Sequence, residues 1–212
     1  MKSMKRRWFV GGLLAPIAFV ATAAVAASIV DEWSTVKVPP PPTLKAVTVD
    51  RKTTALLMLD LNKQTCNAER RPRCVASIPK VAKLLAAARA AGIPVMYSLG
   101  GGGAPADILP EVTPAKDEPV VSSGLDKFVG TDLENILRQK GVKTVIIVGV
   151  AAHGAVLYTA TAAATRGMHV VIPLDGISAD IPYAEQYTAW HLANAPRIDT
   201  FMTLTTLDDV KF

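Results

Sequence analysis

The run Lys143-Thr144-Val145-Ile146-Ile147-Val148-Gly149-Val150 constrains this chain more than any other segment. It is apolar without alternation and rich in β-branched residues. It is also too short for a buried helix, so it predicts a strand covered on both faces. Such a strand needs paired neighbours on each side and a layer above and below. The flanking sequence supplies them. Thr54–Leu61 reads as a second buried strand ending near Asp60, with further strands at Pro94–Leu99, Pro119–Ser122, Met168–Leu174 and Thr200–Leu204. Helical spacing recurs at Ser77–Ala91, Asp132–Lys140, Ala155–Arg166 and Ala184–Ala193, with Ser77 and Thr131 as caps and Gly92, Gly141 and Gly167 as stops. Strand and helix alternate throughout, which predicts right-handed crossovers and an α/β fold on a mainly parallel sheet. In such sheets ligands bind beyond the carboxyl ends of the strands. Asp60 and the loop Gly149–Ala155 both fall there, and a helix start at that loop offers free N–H groups to an anion.

Charge excludes one class of partner. The chain carries +5, but Lys2, Lys5, Arg6 and Arg7 precede any acid. Without them 19 basic residues face 18 acidic ones, and no basic stripe with interleaved aromatics follows. Nucleic acid is therefore not an expected partner. Residues 1–26 read instead as a signal peptide: a basic start, an apolar run from Trp8, and Ala24-Val25-Ala26 as a cleavage site. Lys5-Arg6-Arg7-Trp8-Phe9-Val10 resembles a twin-arginine export signal. A retained membrane anchor is the alternative. The expected location is periplasmic, with the membrane met only through this signal. Residues 27–52, with Pro39–Pro42, read as an extended arm that lies along the domain or bridges to another subunit. The domain proper is expected over 53–212.

Cys66 and Cys74 enclose a short segment, and an oxidising compartment favours a disulfide between them. A metal site would need more ligands than are local. Cys66 as a nucleophile is the remaining alternative.

Several segments together resemble the isochorismatase-like, or cysteine hydrolase, superfamily. They are Leu57-Met58-Leu59-Asp60-Leu61-Asn62, Phe128-Val129-Gly130-Thr131-Asp132-Leu133, Val148-Gly149-Val150 through Thr159-Ala160-Thr161, and Asp175 after its strand. The resemblance spans about residues 53–208. It implies a Rossmann-like three-layer α/β/α sandwich and a catalytic Asp, Lys and Cys. Asp60 matches the aspartate. The cysteine position falls on Ala155, which carries no nucleophile. The usual lysine position falls on Ser122, leaving Lys127 and Lys63 as out-of-register substitutes, with Lys127 the one assigned a catalytic role. The family's metal-binding histidines are missing from Leu99–Pro110, so no metal and no cofactor is expected. True isochorismatases cleave a vinyl ether without the cysteine, and they resemble this chain at Ala152-His153 followed by the small Gly154-Ala155. These four positions are therefore assigned to substrate binding.

Plainer roles stand beside these. Asp60 could cap a turn, His153 could fix its loop, and Lys127 could flank a helix in solvent. His191, beside Trp190, reads as structural or interfacial, and Asp175 as a turn residue with Gly176. Ser122 and Ser123 have no visible base. Three functions follow: a hydrolase of a small molecule acting through Asp60 without a cysteine, a catalytically inactive binding protein on the same scaffold, or an amidase using Cys66. A homo-oligomer is also expected, with the proline arm and the helix near Trp190 as contact surfaces.

Overall fold

The structure, a computed structural model, describes residues 27–100 and 102–212. The expected export signal lies outside the described residues. The chain divides into two units after Val38, and residues 27–38 of the first hold the one-turn helix α1 (Ile29–Glu32). Ser28 starts it, donating through both its N–H and its hydroxyl to Asp31 Oδ2 at 3.0 and 2.7 Å.

The second unit runs from Pro39 to Phe212. Its first strand is β1 (Val47–Thr48). Then come β2 (Thr54–Leu59), α2 (Pro72–Ala90), β3 (Val95–Leu99), β4 (Val120–Ser122), α3 (Leu133–Gln139) and β5 (Thr144–Val150). A π turn at Ala152–Val156 leads into α4 (Leu157–Thr165), followed by β6 (His169–Pro173), β7 (Ile177–Ser178), α5 (Pro182–Asn194), β8 (Met202–Thr205) and β9 (Val210–Lys211).

The main sheet has seven strands in the order β4-β3-β2-β5-β6-β8, with β7 pairing the far end of β5, and every pairing is parallel. β2 and β5 sit at its centre. Every residue of β2 is buried, as a strand covered on both faces requires. Its side chains divide by the pleat. Leu56 and Met58 meet Ile78, Val81 and Leu85 of α2. Ala55, Leu57 and Leu59 face the core that α3, α4 and α5 complete with Leu137, Ala160 and Leu192. The three-layer α/β/α sandwich follows from this division.

Two differences from the sequence reading have local causes. α2 starts at Pro72, more than a turn before Ser77; proline suits a first helical position because its missing N–H would be unpaired there. Ser77 is inside the helix and donates to the Cys74 carbonyl at 2.8 Å. The expected helix from Ala155 begins instead as a π turn, with Gly154 at a non-helical φ of −117° and ψ of −112°. The end of the arm lies along the domain: β1 pairs with β9, and Lys45 N–H donates to the Leu204 carbonyl at 2.9 Å. Ahead of it, Pro39–Pro42 line a cleft of about 330 Å³ with Leu174, Ile177, Pro182 and Trp190.

Cys66 and Cys74 are joined by a disulfide, both nearly fully buried, with Cα atoms 5.5 Å apart. The bridge ties the turn after β2 to the first turn of α2. Replacing both cysteines by alanine is expected to cost about 2 to 4 kcal/mol of unfolding free energy, read from the urea midpoint at constant slope. An unchanged midpoint would show that the turn holds its shape without the bridge.

Candidate active site

β2 ends at Leu59, and the next residue turns sharply. Asp60 has φ +54°, in the left-handed region that non-glycine residues seldom occupy and that aspartate tolerates better than most. The turn needs a close neighbour on the other side. Gly149 of β5 lies opposite Leu59 at φ +126°, and a Cβ there would fall on the Leu59 carbonyl. Only glycine fits. Asp60 is thereby set at the carboxyl edge of the two central strands, 6% exposed.

Its carboxylate is held from two sides. Lys127 Nζ donates to Oδ2 at 2.9 Å, and Ser98 Oγ donates to Oδ1 at 2.7 Å. The Lys127 side chain is fully buried and that of Asp60 is 9% exposed. Lys127 spends its other two N–H groups on the carbonyls of Gly124 (2.8 Å) and Ser123 (3.2 Å), so all three donors are satisfied. On the side of Oδ2, Gly100 passes so near that a Cβ on it would lie 2.5 Å away.

Lys127 reaches Asp60 because it stands on a loop, not a strand. Between β4 and α3 the alternation of strand faces no longer applies, so a lysine displaced from the expected register can still aim at the carboxylate. The loop is fastened at several points. Lys127 N–H donates to Thr159 Oγ1 (3.2 Å), and its carbonyl accepts from Thr131 Oγ1 (2.6 Å). Phe128 is buried under the Arg166 guanidinium, 4.4 Å above its ring, and Arg166 pairs with Glu134 at 2.8 Å. Lys63 points to solvent and Ser122 is exposed, so neither joins the site.

The second expected element, the loop after β5, divides. Ala152 and Ala155 are buried in the core, while His153 is exposed. His153 lines a cleft of about 430 Å³ with Tyr158, Asp180, Tyr183 and Tyr187. Asp180 connects this cleft to the turn after Asp60. Its carboxylate meets Arg70 Nε at 2.9 Å and Arg71 Nε at 2.6 Å, although the Arg71 N–H is not aligned for a hydrogen bond. Burial opposes charge on Asp180. The hydrogen bond from Arg70 and the charges of Arg71, Arg70 and His153 outweigh it and hold the carboxyl below its ordinary range. Burial also pulls the Arg71 guanidinium below its usual value, against the charge of Asp180. Arg71 Nη1 donates to the Thr65 carbonyl at 2.5 Å, and Thr65 Oγ1 in turn donates to the Asp60 carbonyl.

The disulfide consumes both cysteines of the chain and leaves no free thiol. Cys66 is therefore not a nucleophile, and that reading is corrected. Among the described residues no group of three or more His, Cys, Asp or Glu side chains converges to hold a metal ion. Asp175 accepts from Leu207 N–H at 2.7 Å and from Lys80, away from Asp60, and His191 packs against Tyr187. Ser98, Thr65 and Arg71 escaped the sequence reading. Of the three, Ser98 is the one with a trace in the sequence, as the one small polar residue in the run Val95-Met96-Tyr97-Ser98-Leu99.

The buried pair makes a direct prediction. Lys127→Ala leaves an uncompensated carboxylate and is expected to cost about 3 to 5 kcal/mol in urea unfolding. Adding Asp60→Asn should recover a large part of that loss. No recovery would show that the lysine stabilises the fold through its carbonyl contacts alone.

The family described as "Isochorismatase domain" matches residues 54–209. A secreted isochorismatase effector of Verticillium dahliae is 33% identical over 147 residues, covering 64% of this chain and 77% of the relative. An N-carbamoylsarcosine amidase of Arthrobacter is 28% identical over 145 residues, covering 55% of each chain. Among solved structures, an isochorismatase family protein of Desulfovibrio vulgaris superposes with a TM-score of 0.66 at 23% identity, covering 74% of this chain and 95% of its own.

Proposed function

The chain belongs to the isochorismatase-like hydrolase family, and from that premise we propose that it hydrolyses a small molecule by acid–base chemistry at Asp60, without a covalent intermediate. One observation carries the reading. The Asp60–Lys127 pair is intact and buried at the carboxyl edge of the sheet, while the position of the family's cysteine is Ala155 and no thiol exists elsewhere. A carboxylate so placed can give a proton to a substrate and take one back from water. For a vinyl ether, protonation of the alkene carbon yields an oxocarbenium ion. Water then adds to it, and the resulting hemiketal collapses to a carbonyl compound and an alcohol. Lys127 fixes the carboxyl and balances its charge at the ionised stage. On this reading the loop Ala152–Ala155 meets the substrate through His153 and the backbone of Gly154, since the side chains of Ala152 and Ala155 are in the core. The relatives' names point to both vinyl ethers and amides as bonds to try. The secreted relative supports export of this chain as well, and residues 1–26 supply the signal for a periplasmic destination.

The test is product formation by the mature protein on isochorismate and a panel of small vinyl ethers and amides, beside Asp60→Asn. Turnover that falls by about 100-fold or more in the variant is the expected result. Undiminished turnover in Asp60→Asn would remove Asp60 from the chemistry. Saturable binding with no product on any compound would favour the inactive binding protein instead.

Self-association is part of the same proposal. Tyr183, Tyr187 and Trp190 form an exposed stripe on α5, and Tyr158 of α4 extends it. Light scattering of the mature protein is expected to give at least twice the monomer mass. A monomer at micromolar concentration would end this part of the reading.

A further inference from the structure

Ser98 is the side chain in the site that the family resemblance does not account for. It stands in β3 beside the end of β2, in register with Leu59, and is 2% exposed. Its four neighbours in β3 are buried, and apart from the Tyr97 hydroxyl, which accepts from Arg89, they are apolar. A hydroxyl in such a place must be hydrogen-bonded to be tolerated. Its hydroxyl donates to Asp60 Oδ1 at 2.7 Å. Its main chain engages the same residue, since the Ser98 carbonyl accepts the Asp60 N–H at 3.1 Å. Ser98 thus grips Asp60 at both ends, across a turn whose φ is in the left-handed region.

The two partners of the carboxylate differ in kind. Lys127 has donors only, and all three are spent. It can donate to an oxygen of the carboxyl in either state but cannot accept the O–H of a protonated one. A hydroxyl can donate to a carboxylate and, after turning about its C–O bond, accept from a carboxylic acid. An acid–base cycle needs both states. The turn moves no heavy atom and, among the described residues, breaks no other side-chain bond.

We infer that Ser98 is a positioning residue for Asp60: it fixes the plane of the carboxyl and reverses its hydrogen bond as the proton arrives and leaves. The inference rests on the reading of Asp60 as the acid–base group. It assigns Ser98 no contact with substrate. Its loss should therefore slow the chemical step and leave binding alone.

The experiment compares Ser98→Ala, Ser98→Thr and Asp60→Asn on the compound of the panel that the wild type hydrolyses. Ser98→Ala is expected to lower kcat about tenfold or more with KM within about twofold, as the loss of a bond to a charged group implies. Ser98→Thr restores the hydroxyl and should restore kcat. Unchanged kcat in Ser98→Ala, or a loss that threonine does not repair, overturns the assignment. If Asp60→Asn also keeps full activity, the reading of the site has failed, not only that of Ser98. A measurement without substrate decides the case where no compound is turned over: urea unfolding of Ser98→Ala in wild-type and Asp60→Ala backgrounds. The destabilisation should at least halve once the carboxylate is gone. Equal losses in both backgrounds show that Ser98 does not act through Asp60, and overturn the inference.

Discussion

The ion pair between Asp60 and Lys127 is the interaction around which this molecule is arranged. Two opposite charges with almost no access to water are tolerated only when each is paired and its remaining hydrogen-bonding capacity is met. Every element near the site contributes to that condition. β3 supplies the Ser98 hydroxyl, the loop after β4 supplies two carbonyls for the ammonium, and β5 supplies a glycine that lets Asp60 turn. As fold stabilisation alone, such a pair is a poor choice, since apolar residues of similar volume often serve as well or better. Its burial at the carboxyl edge of the two central strands is the reason we propose it for chemistry.

Rigidity around the pair comes from links between elements that the sheet does not hold together. Thr131 and Thr159 fix the backbone of Lys127 from α3 and its approach on one side and from α4 on the other. The stack of Arg166 on Phe128 closes over the same loop. On the opposite flank, the disulfide, Thr65 and Arg71 connect the turn after Asp60 to Asp180 at the His153 cleft. A carboxylate that exchanges protons with a bound molecule gains from such a frame, because small displacements of the acid lengthen the transfer distance.

Much of this was legible in the amino-acid sequence, and the limits have physical causes. Buried strands announce themselves by unbroken apolar runs, so β2 and β5 and the position of Asp60 at a strand end could be read directly. Lys127 could be named but not placed, because register arguments hold for strands and it stands on a loop. Ser98 was passed over because a lone serine in an apolar strand carries no partner in one dimension. Arg71 had no assigned role in the segment between the cysteines, because only the fold brings Asp180 to it. The start of α2 was read late, since Ser77 followed by Pro79 imitates the signals of a helix beginning. The short strands β1, β7 and β9 have two residues each and leave no periodicity to detect.

The pairing of β1 with β9 has a consequence for how the second unit can be handled. Val47 lies against Val210 and Thr48 against Lys211, so residues from opposite ends of the unit hold one another. Neither two-residue strand has another neighbour in its sheet. The contact closes a loop that contains nearly the whole unit, and such a closure gains little from local order and depends on the intervening sheet being in place. The ends therefore act as a clasp. Trimming either one unfastens the other, so a deletion at the carboxyl terminus should be felt first in the segment ahead of β2.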